Sequence, residues 1–403
     1  RALLLAEVAK LRSGDFDEKL IEASINNFKL YMMRALEDNN SRADMYVQSF
    51  IAGTDWADEV AQLDRMKKIT KQDVVEWANK YLAENGYVIV FKREGEDKSV
   101  QKIAAPKITP IATNRDQQSA FLTEIQQSEV TPIEPVFVDY QKEMAQFDVR
   151  DGIHVLYKKN ELNDIFTLNY VFDTGTENDP TLALAFNYLS YLGTGSMTAE
   201  QIASEMYDIA CSFSMQAGPT SCRISITGLG ENMAEAMEIV EGLLNKPKPD
   251  EAILANLKAD MIKSRADAKL NQSRCFGALQ TYMFYGPDFI RRTNPALEAM
   301  SSEMLLAKID ELMDKQHEVL YYGPQSEKEV TEALAMHHKT SAELQPLDKK
   351  HLQLLPTDES KVLMAQYDAK QLYYLQYANL GKQFDVAADP EITLYNEYFG
   401  GSM

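Results

Sequence analysis

Five histidines are the residues of this 403-residue sequence best suited to bind a metal ion or transfer protons. His337 and His338 are adjacent, so on a helix their side chains would point about 100° apart and could not easily face one ion. We interpret both as solvated residues. The other three are isolated in sequence and are interpreted as structural or surface residues: His154, His317 and His351.

The three cysteines are the next candidates, as nucleophiles or metal ligands. They are too few and too dispersed for a disulfide framework, and none forms a C-x-x-C pair. Nothing in the sequence places a histidine beside a cysteine, as the activation of a thiol nucleophile would require. We therefore predict three buried thiols: Cys211, Cys222 and Cys275.

Motifs of other enzyme classes are incomplete or missing. Gly193-x-Gly195 and Gly228-x-Gly230 lack the third glycine of a dinucleotide fingerprint, and no G-x-x-x-x-G-K-[ST] phosphate loop occurs. No G-x-S-x-G nucleophile elbow occurs either. We predict no catalytic, cofactor-binding or metal-binding residue in this chain.

The composition is that of a globular chain, with 45% hydrophobic and 25% charged residues. At roughly 100 to 200 residues per domain, its length predicts two to three domains. A net charge of -20 disfavours nucleic-acid binding. No apolar run approaches the roughly 20 residues of a membrane span, which predicts a soluble chain.

The sequence starts at Arg1 in a helical pattern without a leader, so we expect that an upstream part is missing, and no compartment is indicated.

Helical patterns and one strand pattern organise the first 94 residues. Apolar residues recur at helical spacing over residues 17–36. Thr70 and Asp73 can form a capping box, which predicts a helix from there to about residue 84, stopped by Asn85 and the glycine after it. The continuous apolar run at 87–91 predicts a strand buried on both faces.

From residue 95 to 136 the periodicity gives way to charge, Gln, Ser and four prolines, which predicts an interdomain linker with one short helix at 117–127. Periodicity resumes with a hairpin that turns at Asp151-Gly152. The further predicted strands are 147–150, 153–158, 166–172, 212–217, 223–229 and 317–322, and the predicted helices are 180–192, 198–209, 232–244 and 250–285.

The sequence resembles itself at a spacing of about 233 residues. Asp-Glu, Ser-Arg, Gly-x-Asp and Leu-x-x-Met pairs recur in order, and each copy then runs through a helix into an aromatic-rich strand, at 87–91 and at 317–322. The matched positions begin at Asp17, Ser41, Gly53 and Leu63 in the first copy and at Asp250, Ser273, Gly286 (with Asp288) and Leu297 in the second.

A weaker match, with slips of a few residues, links the middle of the chain to its end. Asp179-Pro180 and the Gly-Ser-Met at 195–197 resemble Asp389-Pro390 and the Gly-Ser-Met at 401–403. The two matches predict a unit of about 200 to 230 residues that occurs in three pieces. The expected division is a back half at 1–94, a linker at 95–136, a complete unit at 137–345, and a linker with the truncated front of another unit at 346–403.

The order of elements in the complete unit resembles that of the pitrilysin and insulinase family of zinc peptidases. The hairpin at 151–157, the Asp-Thr-Gly at 173–175 and the Leu-Gly-Thr at 192–194 are similar to stretches of that family. The resemblance covers essentially the whole chain. It implies an α+β fold, in which repeated units of mainly antiparallel sheet pack against helices.

Active units of that family carry an H-x-x-E-H motif, in which two histidines bind zinc and the glutamate activates the bound water. The resemblance puts these positions at about Leu184, Asn187 and Tyr188. Leucine offers no lone pair, asparagine is no base near neutral pH, and tyrosine is a poor zinc ligand. The helix expected to supply the third ligand offers Asp260, which we interpret as a surface carboxylate.

The resemblance implies that the chain is a non-catalytic portion of a zinc metalloendopeptidase. The zinc and its motif would lie upstream, and the units would close around peptide substrates, with the linker at 95–136 as a hinge. Whether the parent protein is an enzyme stays open, because the missing motif fits equally well a metal-free core or scaffold subunit of a processing-peptidase-like assembly. An unrelated α/β binding module is a third, weaker reading.

Overall fold

The fold is that of a computed structural model, which describes residues 1–82, 86–95, 99, 103–111, 113, 115, 117–286, 293–347, 352–379, 381 and 384–400. The chain divides into two compact units. The first comprises Arg1–Phe16 and Thr70–Glu143, and the second comprises Asp17–Ile69 and Met144–Met403. Three residues and one segment discussed above lie outside the described residues: Asn85, Asp288, His351 and the Gly-Ser-Met at 401–403.

The larger unit is built on a six-stranded sheet. Its strands are β1 (Ala145–Arg150), β2 (Ile153–Lys159), β3 (Ile165–Phe172), β4 (Cys211–Ala217), β5 (Cys222–Leu229) and β6 (His317–Gly323). They follow the order β1-β2-β6-β3-β5-β4, and every neighbouring pair is antiparallel except β2 with β6. The last strand in sequence therefore lies inside the sheet, between β2 and β3.

The helices of the described chain complete the two units. They are α1 (Ala2–Ser13), α2 (Lys19–Glu37), α3 (Asn39–Ala52), α4 (Trp56–Val60), α5 (Gln62–Met66), α6 (Lys71–Tyr81), α7 (Ala120–Gln127), α8 (Tyr140–Glu143), α9 (Thr181–Leu189), α10 (Ala199–Asp208), α11 (Met233–Asn245), α12 (Glu251–Ala268), α13 (Gln272–Tyr285), α14 (Asn294–Glu298), α15 (Ser302–Met313), α16 (Glu327–His337) and α17 (Asp389–Gly400). None of these helices is long and apolar enough to cross a membrane.

The predicted hairpin is confirmed as β1 and β2, with a turn at Asp151-Gly152. Gly152 has φ +84°, a left-handed conformation that glycine adopts without steric cost. Along β2, buried residues alternate with more exposed ones, so that Ile153, Val155 and Tyr157 enter the core.

The core of the larger unit lies between this sheet and the helices α9, α11 and α15. Eight residues of α11 are buried, all of them apolar except Glu241. Each large apolar side chain buried in this way stabilises the fold by about 1.5 to 3 kcal/mol. The predicted class, a mainly antiparallel sheet packed against helices, is confirmed.

The single helix predicted for 250–285 is wrong. Helix α12 ends at Ala268, and α13 begins at Gln272 after a short break. Asn271 has extended backbone angles, and its side chain accepts a hydrogen bond from the backbone N–H of Arg274. An asparagine that caps a helix start competes with a continuous helix, which explains the break.

In the smaller unit, α1 packs against α6. Thr70 and Asp73 form the predicted capping box at the start of α6. The chain leaves α1 at Gly14, which has φ +74° and whose backbone N–H bonds to the carbonyl of Leu11. Much of the predicted linker, including 103–111 and 128–138, has no helix or strand, and α7 is its short predicted helix.

The buried strand predicted at 87–91 is wrong. These five residues form no strand, and Val88 and Val90 are 90% and 88% exposed. Their counterpart in the predicted repeat, β6, is buried because it lies between β2 and β3. In the described part of the chain no strand pairs with residues 87–91, so the backbone and apolar side chains of this segment face solvent.

Candidate functional site

Helix α9 is where the resemblance places the zinc motif, and in this chain it is a packing element. Leu184 is only 5% exposed and belongs to the main hydrophobic core. Asn187 is exposed, whereas Tyr188 is fully buried. The three positions thus do not share one open face that could surround a metal ion.

The Tyr188 hydroxyl is fully engaged in hydrogen bonds. It donates to the backbone carbonyl of Asp250 at 3.1 Å and accepts from the backbone N–H of Asp250 at 2.7 Å. It also lies 2.6 Å from the Ser302 hydroxyl. One donor and two lone pairs are all that a phenol has, so these contacts use its capacity completely. Tyr188 therefore ties α9 to the starts of α12 and α15.

Asp260 lies on the exposed surface of α12, as predicted. It borders a surface depression of about 470 Å³, whose other lining residues are Lys263, Ser264, Asp267, Asn271 and Arg274. None of the three motif positions on α9 lines it. Asp260 is therefore a surface carboxylate beside groups of both charges, without the ligands that a zinc site needs.

The loop after α9 borders a larger groove of about 920 Å³. Within the loop, the Thr194 N–H donates to the carbonyl of Met197, and the Lys248 N–H donates to the carbonyl of Gly193. A Cβ at Gly193 would lie 2.4 Å from the Met197 oxygen, so only glycine fits there. The charged residues of the groove are Glu205, Glu235, Glu238, Lys246 and Lys248.

A second group of polar side chains lies inside the core of the larger unit. His338 Nδ1 is 2.7 Å from Glu241 Oε1, and the Nε2 atoms of His338 and His317 are 2.8 Å apart. His317 Nδ1 is 2.8 Å from the backbone carbonyl oxygen of Lys315. All three side chains are buried. We call Glu241, His338 and His317 the buried triad.

The interpretation of His338 as a solvated residue is wrong. Helix α16 ends at His337, and His338 has the extended angles φ −75° and ψ 97°. The rotation of about 100° per residue therefore no longer relates the two rings. His337 stays half-buried at the helix end, and His338 turns into the core toward Glu241.

Burial sets the electrostatics of this site. Desolvation, aided by His338 nearby, lowers the pKa of His317 to about 4. The Tyr170 ring packs 4.1 Å from the His338 ring. Burial, together with the Glu241 carboxylate, raises the pKa of Tyr170 well above its ordinary value.

The two Nε2 atoms of the triad face each other, and each Nδ1 atom faces an oxygen acceptor. None of these four ring nitrogens is therefore free to bind a metal ion. Among the described residues no group of three or more histidine, cysteine or acidic side chains is arranged to hold a metal ion. His154 belongs to neither group, because it lies half-buried on β2 with Nδ1 2.8 Å from Asp148 Oδ1.

Two of the three cysteines are buried as predicted. Burial raises the pKa of Cys211 and of Cys222 to about 12, so both are inert thiols. The prediction is wrong for Cys275, which is only half-buried on α13. Its Sγ lies 3.5 Å from the carbonyl oxygen of Lys269, in the break between α12 and α13.

Sequence reasoning missed the buried triad because its members are separated by 76 and 21 residues. One signal was present. Glu241 falls on the apolar face of its helix, between Val240 and Leu243, where a carboxylate needs a partner.

No protein-family model matches the sequence, and no curated protein matches it. Similar solved structures include a peptidase M16 inactive domain from Pseudomonas fluorescens, with 16% identity, a TM-score of 0.43, and coverage of 48% of this chain and 50% of that one. The periplasmic protease PqqL from Escherichia coli has 14% identity, a TM-score of 0.49, and coverage of 89% and 43%. A protease from Helicobacter pylori has 13% identity, a TM-score of 0.42, and coverage of 52% and 52%.

The chain spans about half, or less, of the length of these structures. M16 is the designation of the pitrilysin-type peptidases, the family that the sequence resembles. With so low an identity, the functional interpretation of this chain rests on its own residues.

Proposed function

We propose that this chain is a non-catalytic portion of a pitrilysin-type zinc metalloendopeptidase, and that it helps to form the chamber that encloses peptide substrates. The observation that supports this most directly is the packing of helix α9. The helix that would hold zinc in an active unit packs into the core through Leu184 and Tyr188.

The chemistry of these positions explains why the chain alone is expected to be inactive. Zinc needs nitrogen, sulfur or oxygen ligands with free lone pairs, and an activated water needs a base beside it. Leu184 has no lone pair, and both lone pairs of the Tyr188 hydroxyl already accept hydrogen bonds. Asn187 lies on the surface and has no basic group.

In this proposal the catalytic unit lies upstream in a longer protein. Residues 137–345 would form a complete non-catalytic unit, and 95–136 would be the hinge between halves. Residues 1–94 would be the back half of a preceding unit, and 346–403 a linker with the truncated front of a following unit. Peptide substrates and the upstream catalytic unit would then be the partners of this chain.

Zinc content and peptide hydrolysis test the proposal. The 403-residue chain and the longer gene product that includes its upstream residues are purified, dialysed, and analysed for zinc and for cleavage of a mixture of unstructured peptides. We expect about one zinc per molecule and cleavage for the longer product, and neither for the chain. Stoichiometric zinc on the chain would contradict the proposal.

The same experiment separates the metal-free scaffold. A longer product that lacks H-x-x-E-H, holds no zinc and elutes in a stable complex with another chain would favour a core subunit of a processing-peptidase-like assembly. The missing motif on α9 is compatible with both functions, so the upstream sequence and the metal content decide between them.

A further inference from the structure

The hydrogen bonds of the buried triad fix how many protons it holds. The Lys315 carbonyl can only accept, and so can an ionised Glu241 carboxylate. His317 Nδ1 faces the first and His338 Nδ1 faces the second, at 2.8 and 2.7 Å, so both nitrogens must carry protons. Of the two Nε2 atoms, 2.8 Å apart, one must donate to the other. Three protons on four ring nitrogens make one of the two rings an imidazolium.

The surroundings decide which ring carries the charge. His338 lies against the Glu241 carboxylate, which also accepts from the Lys339 N–H at 3.3 Å and the Asn245 side chain at 3.2 Å. His317 lies on the far side of His338, and burial, His338 and then Arg150 disfavour a positive charge on it. His317 is therefore the neutral ring, with its proton on Nδ1 and its Nε2 accepting from His338.

The other groups packed around the triad are compatible with this arrangement. The Tyr170 ring lies 4.1 Å from His338, tilted by 32°, which places aromatic electrons beside the imidazolium. The Arg150 guanidinium is held by Thr340 and Ser341. Arg150 from β1 and Tyr170 from β3 are thus two charged or titratable groups that face the triad.

We propose that Glu241, His338 and His317 form a proton-dependent clamp that fastens α11, the start of β6 and the end of α16 together. In the folded chain the clamp holds three ring protons, two of them on His338. When the third proton is lost, one buried ring nitrogen faces a hydrogen-bond acceptor with no proton to donate, and the clamp is destabilised.

The sign of the pH dependence follows from proton counts in the folded and unfolded chains. A free histidine has a pKa of about 6.5. Above that pH the folded triad holds one proton more than the unfolded chain, so this contribution to stability falls as pH rises. Below it, His317 stays neutral down to about pH 4 while its unfolded form is charged, so stability falls as pH drops. The triad contributes most to the stability of the fold near pH 6.5. On either side of that pH, the unfolding equilibrium constant changes about tenfold per pH unit.

Histidine-selective ¹⁵N NMR of the full chain at pH 7.5 tests the proton positions directly. We expect one ring with both nitrogens protonated and one neutral ring protonated at Nδ1, the rarer form in free histidine. The signal of each ring disappears in its own variant, His338→Gln or His317→Gln. Two neutral rings at pH 7.5 would overturn the proposal.

Urea unfolding between pH 6.5 and 8.5 tests the clamp, with Glu241→Gln as the variant and His337→Gln as the matched control outside the triad. Because an amide cannot stabilise the imidazolium as a carboxylate does, Glu241→Gln should remove about a tenfold change per pH unit on the alkaline side, and His337→Gln should keep it. Equal pH slopes in the native chain and Glu241→Gln would contradict the proposal. If Glu241→Gln does not fold, the NMR result on the native chain decides.

Discussion

Two tyrosines near the end of α9 differ in burial and in hydrogen bonding. Tyr188 connects α9 with Asp250 and Ser302, whereas Tyr191, three residues later, is 53% exposed. The chemical groups are identical, so the difference in their contributions comes only from burial and hydrogen bonding.

We predict that Tyr188→Phe lowers the free energy of unfolding by about 1 to 3 kcal/mol, because the Asp250 N–H and the Ser302 hydroxyl lose a buried partner. Tyr191→Phe should change it by no more than about 0.5 kcal/mol. Urea denaturation of both variants measures the difference, and equal effects would show that the hydroxyl of Tyr188 is not structural.

The cysteines give a second prediction about single residues. Because a pKa of about 12 leaves almost no thiolate at pH 8, Cys211 and Cys222 should not react with a thiol reagent in the folded chain. Cys275, half-buried, should react first. We expect one fast thiol per chain with a disulfide reagent, three after denaturation, and no fast thiol in Cys275→Ser. Rapid reaction of two or more thiols in the folded chain would contradict the burial of the β4 and β5 cysteines.

Among the elements, the break between α12 and α13 depends on one side chain. Asn271 caps α13 through the Arg274 N–H at 3.0 Å. We predict that Asn271→Ala lowers the free energy of unfolding by about 1 kcal/mol, since the first turn loses its acceptor. Asn271→Asp, whose carboxylate can accept the same bond, should retain most of the stability. Thermal denaturation of the two variants checks this, and an equal loss in both would mean that the cap is unimportant.

Local patterns in the sequence predict the elements whose interactions are themselves local. The hairpin at Asp151-Gly152 and the capping box of Thr70 with Asp73 depend on residues only a few positions apart. The helix break at Asn271 is also local, but it lies between two segments that are both helical. The triad could not be predicted in this way, because His338 meets Glu241 only after the whole unit has folded.

The motif positions on α9 are a mixed case. That Leu184 and Tyr188 cannot bind zinc is clear from their chemistry alone. The sequence does not show where their side chains point, since the partners of Tyr188 are residues that lie 62 and 114 positions later in the chain.

At the scale of the whole molecule, residues 87–91 and their predicted counterpart β6 share an apolar pattern but differ in burial. In the predicted repeat Val88 corresponds to Val319, which is fully buried in β6 between two strands. A strand needs neighbours on its edges, so the same apolar pattern is buried in one place and exposed in the other.

We predict that Val319→Asp lowers the stability of the chain by more than about 3 kcal/mol, because it buries an unpaired carboxylate. Val88→Asp should change it by no more than about 0.5 kcal/mol. In the longer protein that the proposed function assumes, whose upstream residues would supply the neighbouring strands, Val88→Asp should become strongly destabilising. Denaturation of the three variant proteins checks this, and a harmless Val88→Asp in the longer product would argue against the repeat.

The position of β6 also has a consequence for how the protein is made. β2 ends at Lys159 and β6 begins at His317, so a ribosome must add about 150 residues before the strand that fills the gap between β2 and β3 exists. At 5 to 20 residues per second this takes roughly 10 to 30 s. During that interval two strand edges of the nascent chain stay open, which makes the front of the unit a target for chaperones and for wrong strand pairing.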